Sequence, residues 1–397
     1  MNQRETALYI LNKTVTDESY SNLLMRKQLE KLEPIQRAFV TNLVNGVLRN
    51  YETLSFQFSD LSEKNTSFRL RLILCMAFYE RFWLKEKDYV VNHEYVELCE
   101  NRYEKSFVNA LLRKVMEFRE PAEDSIRHNL PSWICSLLRS QYPEEEFENI
   151  SQTFHQVPVL CYRINRRKCS MDDLKELDIE PLNEEIFTSS RNLLHSRQME
   201  EGLFYVQDRN SSSLYHHLDL EKNHLLLDVC SAPGSKLFNC LDWIEPHQAY
   251  ANDIHEKRTR LIQKKAEVPG FKGIHYLNCD GRRLQNVLNQ QFDRIMLDAP
   301  CSGLGVIGRK PDLKFHVKPE NLDELEVLQH ELLMSMDPLL KKEGILLYST
   351  CTLNKKENSR QIRRFLSENE DFVLLKEDTI INGLGDCFYY AKMKKVN

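Results

Sequence analysis

The chain has 397 residues and a formal net charge of −5 at pH 7, so it is too long for one average domain, and its charge balance argues against a polyanion binder that works by whole-molecule attraction. Its eleven cysteines include no C-x-x-C pair and its histidines lack metal-ligand spacing, which excludes a structural zinc site, and no metal is expected. No apolar run approaches a membrane span and no secretory leader precedes the cysteines, so a soluble, cytoplasmic protein with reduced thiols is expected, most simply a monomer.

Apolar residues recur at helical spacing from the start, in Ala7, Leu8, Ile10 and Leu11 and again in Phe39, Leu43, Val44, Val47 and Leu48. Further helical stretches run from Leu70 to Tyr79 and from Phe107 to Leu112. Residues 1–125 are therefore predicted to form an all-α bundle. Prolines at 121 and 131 mark a break. Residues 126–220 then change character, with a helical piece from Trp133 to Leu138 and a strand from Val159 to Ile164, and predict a small α/β linker domain. In residues 221–397, apolar runs alternate with helix-length polar segments. The runs are Leu225–Val229, Gln248–Asn252, Ile274–Asn278, Phe292–Leu297 and Ile345–Ser349. Such alternation predicts a mostly parallel sheet covered by helices, with Phe372–Leu375 and Phe388–Met393 closing it as an antiparallel hairpin.

The chemistry-bearing residues fall at the ends of these predicted strands, where open α/β sheets bind ligands. After the first comes Asp228-Val-Cys230-Ser231-Ala232-Pro233-Gly234-Ser235-Lys236. Gly234 permits a sharp turn and close approach of a ligand to the backbone. The run is neither a phosphate-binding P-loop nor a three-glycine dinucleotide fingerprint. Asp253 closes the second strand, placed either to grip ribose hydroxyls or to cap the next helix. Asp280 follows the third, placed either to accept an adenine amino group or to make a turn. Together the three strand ends favour an adenosyl cofactor. Asp298-Ala-Pro-Cys301-Ser-Gly303 and Tyr348-Ser-Thr-Cys351-Thr352 follow two further strands and bring two thiols toward one pocket. Two basic clusters, Arg163 with Arg166, Arg167 and Lys168, and Arg309 with Lys310, read either as phosphate contacts or as solvated charged faces.

These motifs resemble, from end to end, the ribosomal RNA cytosine-5 methyltransferases of the bacterial RsmB/Sun type, within the wider Nop/Sun group. The resemblance rests on Asp228–Lys236, Asn252-Asp253, Asp280-Gly281, Phe292–Gly303 and Tyr348–Thr352 with Glu357-Asn358. In the N-terminal part, Arg37–Arg49 and Phe107–Arg113 look like the NusB-like helical domain of such enzymes. It implies a multidomain α and α/β protein: a NusB-like RNA-binding bundle, the small α/β linker, and a Rossmann-like class I methyltransferase domain. It implies S-adenosylmethionine, held by Cys230, Ser231, Ala232, Pro233, Gly234, Ser235, Lys236, Asp253, Asp280 and Asp298. It also implies an RNA partner, 16S ribosomal RNA before full subunit assembly, with transfer RNA or large-subunit RNA as alternative substrates and a non-catalytic assembly factor as the rival class. The chain departs from the family pattern at Ser231 and Ser235, where alanine and glycine are usual, and at Cys387, where glycine is usual.

For the chemistry, the resemblance makes Cys351 the nucleophile that adds to cytosine C6, with Lys236 a source of positive charge to favour its thiolate. Asp298 is the expected acid at N3, a carboxyl kept protonated by its site. Cys301 serves the release step or, in the plainer reading, is a compact apolar residue shaping its turn.

Overall fold

Apolar positions three and four residues apart build the N-terminal helices, which include Gln3–Thr16, Pro34–Arg49, Phe68–Phe82, Asp88–Glu97 and Arg102–Lys114. Ser67 caps the third of these through its hydroxyl and Asn101 caps the last through its amide oxygen, each accepting a backbone N–H three residues on. Phe68–Phe82 is buried on almost every side, from Leu70 to Arg81, so it is the central helix, and its sequence lacks the polar face of a surface helix. Gly46 lets Pro34–Arg49 lie against it, since a Cβ there would fall 1.9 Å from the Tyr79 ring. The buried Arg4 is matched by Glu80 at 2.7 Å, whose carboxylate also accepts the Tyr95 hydroxyl at 2.5 Å.

The computed structural model describes residues 2–16, 21–61 and 66–397. The chain divides into two units, one of Met1–Phe147 with Ile307–Val317 and one of Glu148–Val306 with Lys318–Asn397. The helical unit therefore takes in a short segment from far along the chain. Asp312 accepts the N–H of Ser21 at 2.9 Å. Lys314, 3% exposed, donates to the carbonyls of Arg49 at 3.1 Å and Asn129 at 2.8 Å.

The second unit holds two sheets. The smaller is antiparallel in the order β2-β3-β1-β4, with β1 Tyr162–Ile164, β2 Ile179–Pro181, β3 Ile186–Ser189 and β4 Phe204–Val206. Tyr162, Phe187 and Phe204 pack ring to ring as its core. The larger sheet contains β5 Leu226–Asp228, β6 Ala249–Asn252, β7 His275–Leu277, β8 Phe292–Asp298, β9 Leu340–Thr350, β10 Phe372–Ile380 and β11 Phe388–Lys395. Its order is β10-β11-β9-β8-β5-β6-β7, parallel except that β11 runs antiparallel to both β10 and β9. Strand order reverses on either side of β5, which opens a crevice at the carboxyl ends of β5 and β8. The multidomain α and α/β architecture expected from the sequence is the one observed.

Strand β9 starts five residues before the expected Ile345. Phe292 pairs with Leu340, but the next partners are Arg294 and Ile345, so Lys341–Gly344 bulge out of register. Those polar residues read as a turn because the bulge, with Glu343 at φ 66°, breaks the apolar run. The strand predicted from Val159 shortens to β1, leaving Val157 and Val159 exposed.

Candidate functional site

The turn after β5 is folded back on itself by the Gly234 N–H, which donates to the Ser231 carbonyl at 2.7 Å. Gly234 sits at φ 98°, and a Cβ there would meet Ile262 at 2.9 Å and Phe238 at 3.0 Å. Only glycine fits both the dihedral and the space. The Ser231 N–H is tied to the Asn252 carbonyl at 2.8 Å, so the turn is pinned to the end of β6. Beside it lies a residue that the motif reading passed over. Asp228 is buried with neither carboxylate oxygen partnered, and the Ser231 hydroxyl is likewise unpartnered. Burial pushes the Asp228 carboxyl up to about 8, with the nearby charges of Asp298 and Asp253 adding to the rise. An unpaired buried acid of this kind marks a ligand site; its sequence signal was its place as the last residue of the strand before the turn.

Asp253 is buried and accepts the His255 N–H at 3.0 Å, with Arg258 at 3.4 Å from its second oxygen. Asp280 is more heavily engaged. It caps a short 3₁₀ turn through the Arg282 N–H at 3.0 Å and takes the Arg282 guanidinium at 2.6 Å. That pairing, led by the Arg282 hydrogen bond, holds the Asp280 carboxyl below its ordinary value.

Asp298 ends β8 opposite Ser349 of β9 and accepts its hydroxyl at 2.9 Å. Its other oxygen holds the Lys236 ammonium at 2.5 Å. Burial pulls Lys236 down, but the charge and hydrogen bond of Asp298 outweigh it and keep the amine protonated. The pairing sets the Lys236 ammonium against Asp298, the residue expected to act at N3. Lys236 also lies within the field of Cys351.

Cys301 and Cys351 come together with their sulfurs 3.4 Å apart, although 50 residues separate them in sequence. The parallel pairing of β8 and β9 delivers the two loops side by side. Contact with Cys351 and then burial push the Cys301 thiol well above its ordinary value. Beneath them Glu357, 0% exposed, accepts from both loops. The Ser302 N–H lies at 2.9 Å and its hydroxyl at 2.6 Å, with Gln329 at 3.0 Å and Asn354 at 3.2 Å. At the third departure from the family pattern, Cys387 is buried and its N–H donates to the Gly305 carbonyl at 2.9 Å. Its φ is not positive, so nothing at that position calls for glycine.

The chain is similar to known proteins along most of its length. The family model "16S rRNA methyltransferase RsmB/F" matches residues 215–393, "NusB family" matches 1–117, and the ferredoxin-like domain of RsmF/B-like methyltransferases matches 130–183. A Bacillus subtilis protein named "Probable ribosomal RNA small subunit methyltransferase B" is 30% identical over 93% of this chain and 89% of its own length. The chain belongs to the RsmB/F methyltransferase family. An Escherichia fergusonii relative, "Ribosomal RNA small subunit methyltransferase B", is 30% identical over 95% of each chain. The crystal structure of PH0851 shares the fold, with a TM-score of 0.78 over 98% of each chain at 21% identity.

The expected phosphate contacts need one correction. Arg163 is 0% exposed and its guanidinium is spent on Asp242 at 2.6 Å, Glu185 at 3.2 Å and the Tyr205 hydroxyl at 3.0 Å. It sits in the middle of β1 with its side chain turned inward, and it joins the smaller sheet to the methyltransferase domain instead of facing solvent. Arg167 donates to the Leu241 and Ile244 carbonyls, and Lys168 to those of Glu201 and Val268. Arg166 pairs with Glu185 at 3.2 Å while remaining 44% exposed. Arg309 and Lys310 lie in the segment that belongs to the helical unit, and both are exposed. Among the described residues no cluster of three or more histidines, cysteines or carboxylates is placed to hold a metal ion, and no helix is long and apolar enough to cross a membrane.

Proposed function

We propose that this RsmB/F family member transfers a methyl group from S-adenosylmethionine to C5 of a cytosine in small-subunit ribosomal RNA, through a covalent bond between Cys351 and C6. The observation that carries the reading is the pair of thiols at 3.4 Å, beside a carboxylate and an ammonium at 2.5 Å.

The cofactor fits the residues at the carboxyl ends of β5 and β6. Asp228 and Ser231 hold buried polar atoms without partners, the Gly234 turn leaves room for close approach, and Asp253 stands at the next strand end. S-adenosylmethionine bound there supplies an electrophilic methyl on a sulfonium, whose positive charge suits an acidic pocket. Asp280 contributes with the oxygen capacity that Arg282 leaves it, and Cys230 to Lys236 form the wall.

Cytosine C5 is a weak nucleophile until a thiolate adds to C6. The Cys351 thiolate, in the field of Lys236, forms the sulfur–C6 bond. The electron pair of the C5=C6 bond shifts into the ring, and N3 takes a proton that the Lys236–Asp298 pair supplies. C5, now enamine-like, bonds to the methyl carbon as that carbon's bond to the sulfonium sulfur breaks, the pair remaining on sulfur and S-adenosylhomocysteine being left. The C5 proton then leaves to water, the C5=C6 bond re-forms, the sulfur–C6 bond breaks, and N3 returns its proton. Cys301, held as a thiol, steadies the departing Cys351 thiolate by a hydrogen bond from its S–H and keeps its proton, so the nucleophile is regenerated as it began. Splitting one difficult substitution into addition and elimination is what covalent catalysis offers. A target base in folded RNA must leave its stack to reach these groups, and the helical unit with the exposed Arg309 and Lys310 contributes phosphate contacts.

The test is transfer of labelled methyl to protein-free small-subunit ribosomal RNA, with transfer RNA and assembled subunits in parallel and nucleoside mass spectrometry of the product. Formation of 5-methylcytidine in the naked ribosomal RNA alone is expected. Transfer RNA as sole acceptor overturns the substrate, and a methylated base other than cytosine overturns the mechanism.

A further inference from the structure

We propose that Glu357 is the positioning residue of the two-thiol site: it clamps the loops that carry Cys301 and Cys351, and its negative charge reserves the thiolate for Cys351. The inference rests on the two-thiol reading of the reaction and assigns work to a residue that touches neither thiol by a hydrogen bond.

The geometry is one-sided in a way that reveals the charge. Every close neighbour of the Glu357 carboxylate is a donor: the Ser302 N–H at 2.9 Å, the Ser302 hydroxyl at 2.6 Å, the Gln329 amide at 3.0 Å and the Asn354 amide at 3.2 Å. Both oxygens accept, which is the pattern of an anion. The Ser302 and Thr352 hydroxyls lie 2.7 Å apart, and the Thr352 hydroxyl also reaches Glu357 at 3.4 Å. The chain of bonds thus runs from Thr352, the neighbour of Cys351, through Ser302, the neighbour of Cys301, to Glu357. Two further bonds lock the same loops: Gln329 also donates to the Pro300 carbonyl at 2.9 Å, and the Gly305 N–H donates to the Cys351 carbonyl at 2.9 Å. A buried carboxylate held by neutral donors is costly in desolvation. A fold that needed only to fill this space would use an apolar side chain.

The charge has a direction. After contact with Cys351 and burial, the charges of Glu357 and then Asp298 push the Cys301 thiol up. Cys351 has the Lys236 ammonium in its field. Two thiols in contact cannot both ionise, so Glu357 on one side and Lys236 on the other decide which one does.

The test reads Cys301 directly, without RNA or cofactor. In the full chain carrying Cys351→Ser, alkylation of Cys301 by iodoacetamide is followed by peptide mass spectrometry from pH 7 to 10, with and without Glu357→Gln. Removing the charge is expected to move the Cys301 profile to lower pH by about one unit, so that alkylation at pH 8 rises about tenfold. With Cys351 intact, Glu357→Gln is expected to lower kcat for methyl transfer about a hundredfold, with KM for RNA unchanged within a factor of two. Glu357→Asp, which keeps the charge, restores the alkylation profile. A Glu357→Gln protein with wild-type melting and an unmoved Cys301 profile overturns the proposal. If Glu357→Gln does not fold, Ser302→Ala decides, because it cuts the link while leaving the Ser302 N–H in place. A tenfold fall in kcat at constant KM supports the clamp, and an unchanged kcat overturns it. The alkylation arm stands even where no RNA accepts methyl, which separates failure of the clamp from failure of the methylation reading.

Discussion

Lys314 is expected to give the helical unit a pH dependence that Lys314→Met abolishes. Its amine is buried and donates to the carbonyls of Arg49 and Asn129. Burial lowers it from 10.5 to about 7. The folded state thus holds the amine neutral above pH 7, while the unfolded chain keeps it protonated up to about 10.5. Between those values the unfolded state binds one more proton, so raising the pH stabilises the fold; below pH 7 both states are charged and the dependence ends. From pH 7 to pH 9 the gain is about 2 kcal/mol once the bend near pH 7 is included. Methionine keeps most of the length and removes the titration, but it also strips both carbonyls of their donor. The comparison is therefore of slopes and not of absolute stabilities. With Trp243→Phe as background, Trp83 and Trp133 remain as reporters, both in the helical unit. Urea unfolding followed by their fluorescence should show the Lys314 protein gaining about 1 M in midpoint over its Met variant between pH 7 and pH 9. Parallel profiles for the two proteins would refute the buried neutral amine.

Cys351→Ala is expected to abolish methyl transfer while leaving cofactor binding by calorimetry intact, whereas Cys301→Ala should accumulate a denaturant-stable protein–RNA adduct visible on gels. Arg163→Met strips Asp242 of its guanidinium and leaves Glu185 to Arg166, at a cost of about 3–5 kcal/mol read from chemical unfolding. Gly234→Ala places a methyl 2.9 Å from Ile262 at φ 98°, so cofactor affinity should fall by about tenfold or more in calorimetry, with a loss of stability of about 1–2 kcal/mol or more. Replacing the exposed Arg309 and Lys310 with alanine should flatten the dependence of log K on log salt by roughly 1.4 in RNA-binding titrations, a change not expected from Arg163→Met.

The sheet and most of its strands were legible because each is a short apolar run ending at a chemically distinct residue: Asp228, Asp253, Asp298 and Thr350 all lie at or next to a strand end. The central helix was legible from its unbroken apolar stretch. What escaped has a common cause, which is that tertiary partners are invisible in a local pattern. Arg163 reads as basic and solvated beside Arg166, Arg167 and Lys168, yet alternation along β1 turns it inward to Asp242, 79 residues away. Residues 307–317 follow the Cys301 loop in sequence and still belong to the helical unit, because Asp312 and Lys314 find their partners there. Asp228 was hidden for the opposite reason: nothing in a strand of leucines announces that its terminal carboxylate has no partner.

The candidate site itself follows from topology more than from motif. Parallel pairing of β8 with β9 sets Asp298 opposite Ser349, and the chain runs three residues beyond Asp298 to Cys301 and two beyond Ser349 to Cys351. Two identical functional groups arrive at contact distance from equivalent positions, so their identity as thiols cannot distinguish their roles. The distinction has to come from what surrounds them. On the β5 side, Lys236 reaches Asp298 and the field of Cys351; on the other side, Glu357 gathers Ser302 and Thr352 and opposes ionisation of Cys301. In the proposed mechanism, the ammonium and the buried carboxylate flanking the 3.4 Å sulfur pair assign the nucleophile's part to one thiol and leave the other its proton. Exchanging the two cysteines for serine one at a time should therefore produce unlike defects, addition lost in one case and release lost in the other, because the field around each position, and not the sulfur, assigns the step.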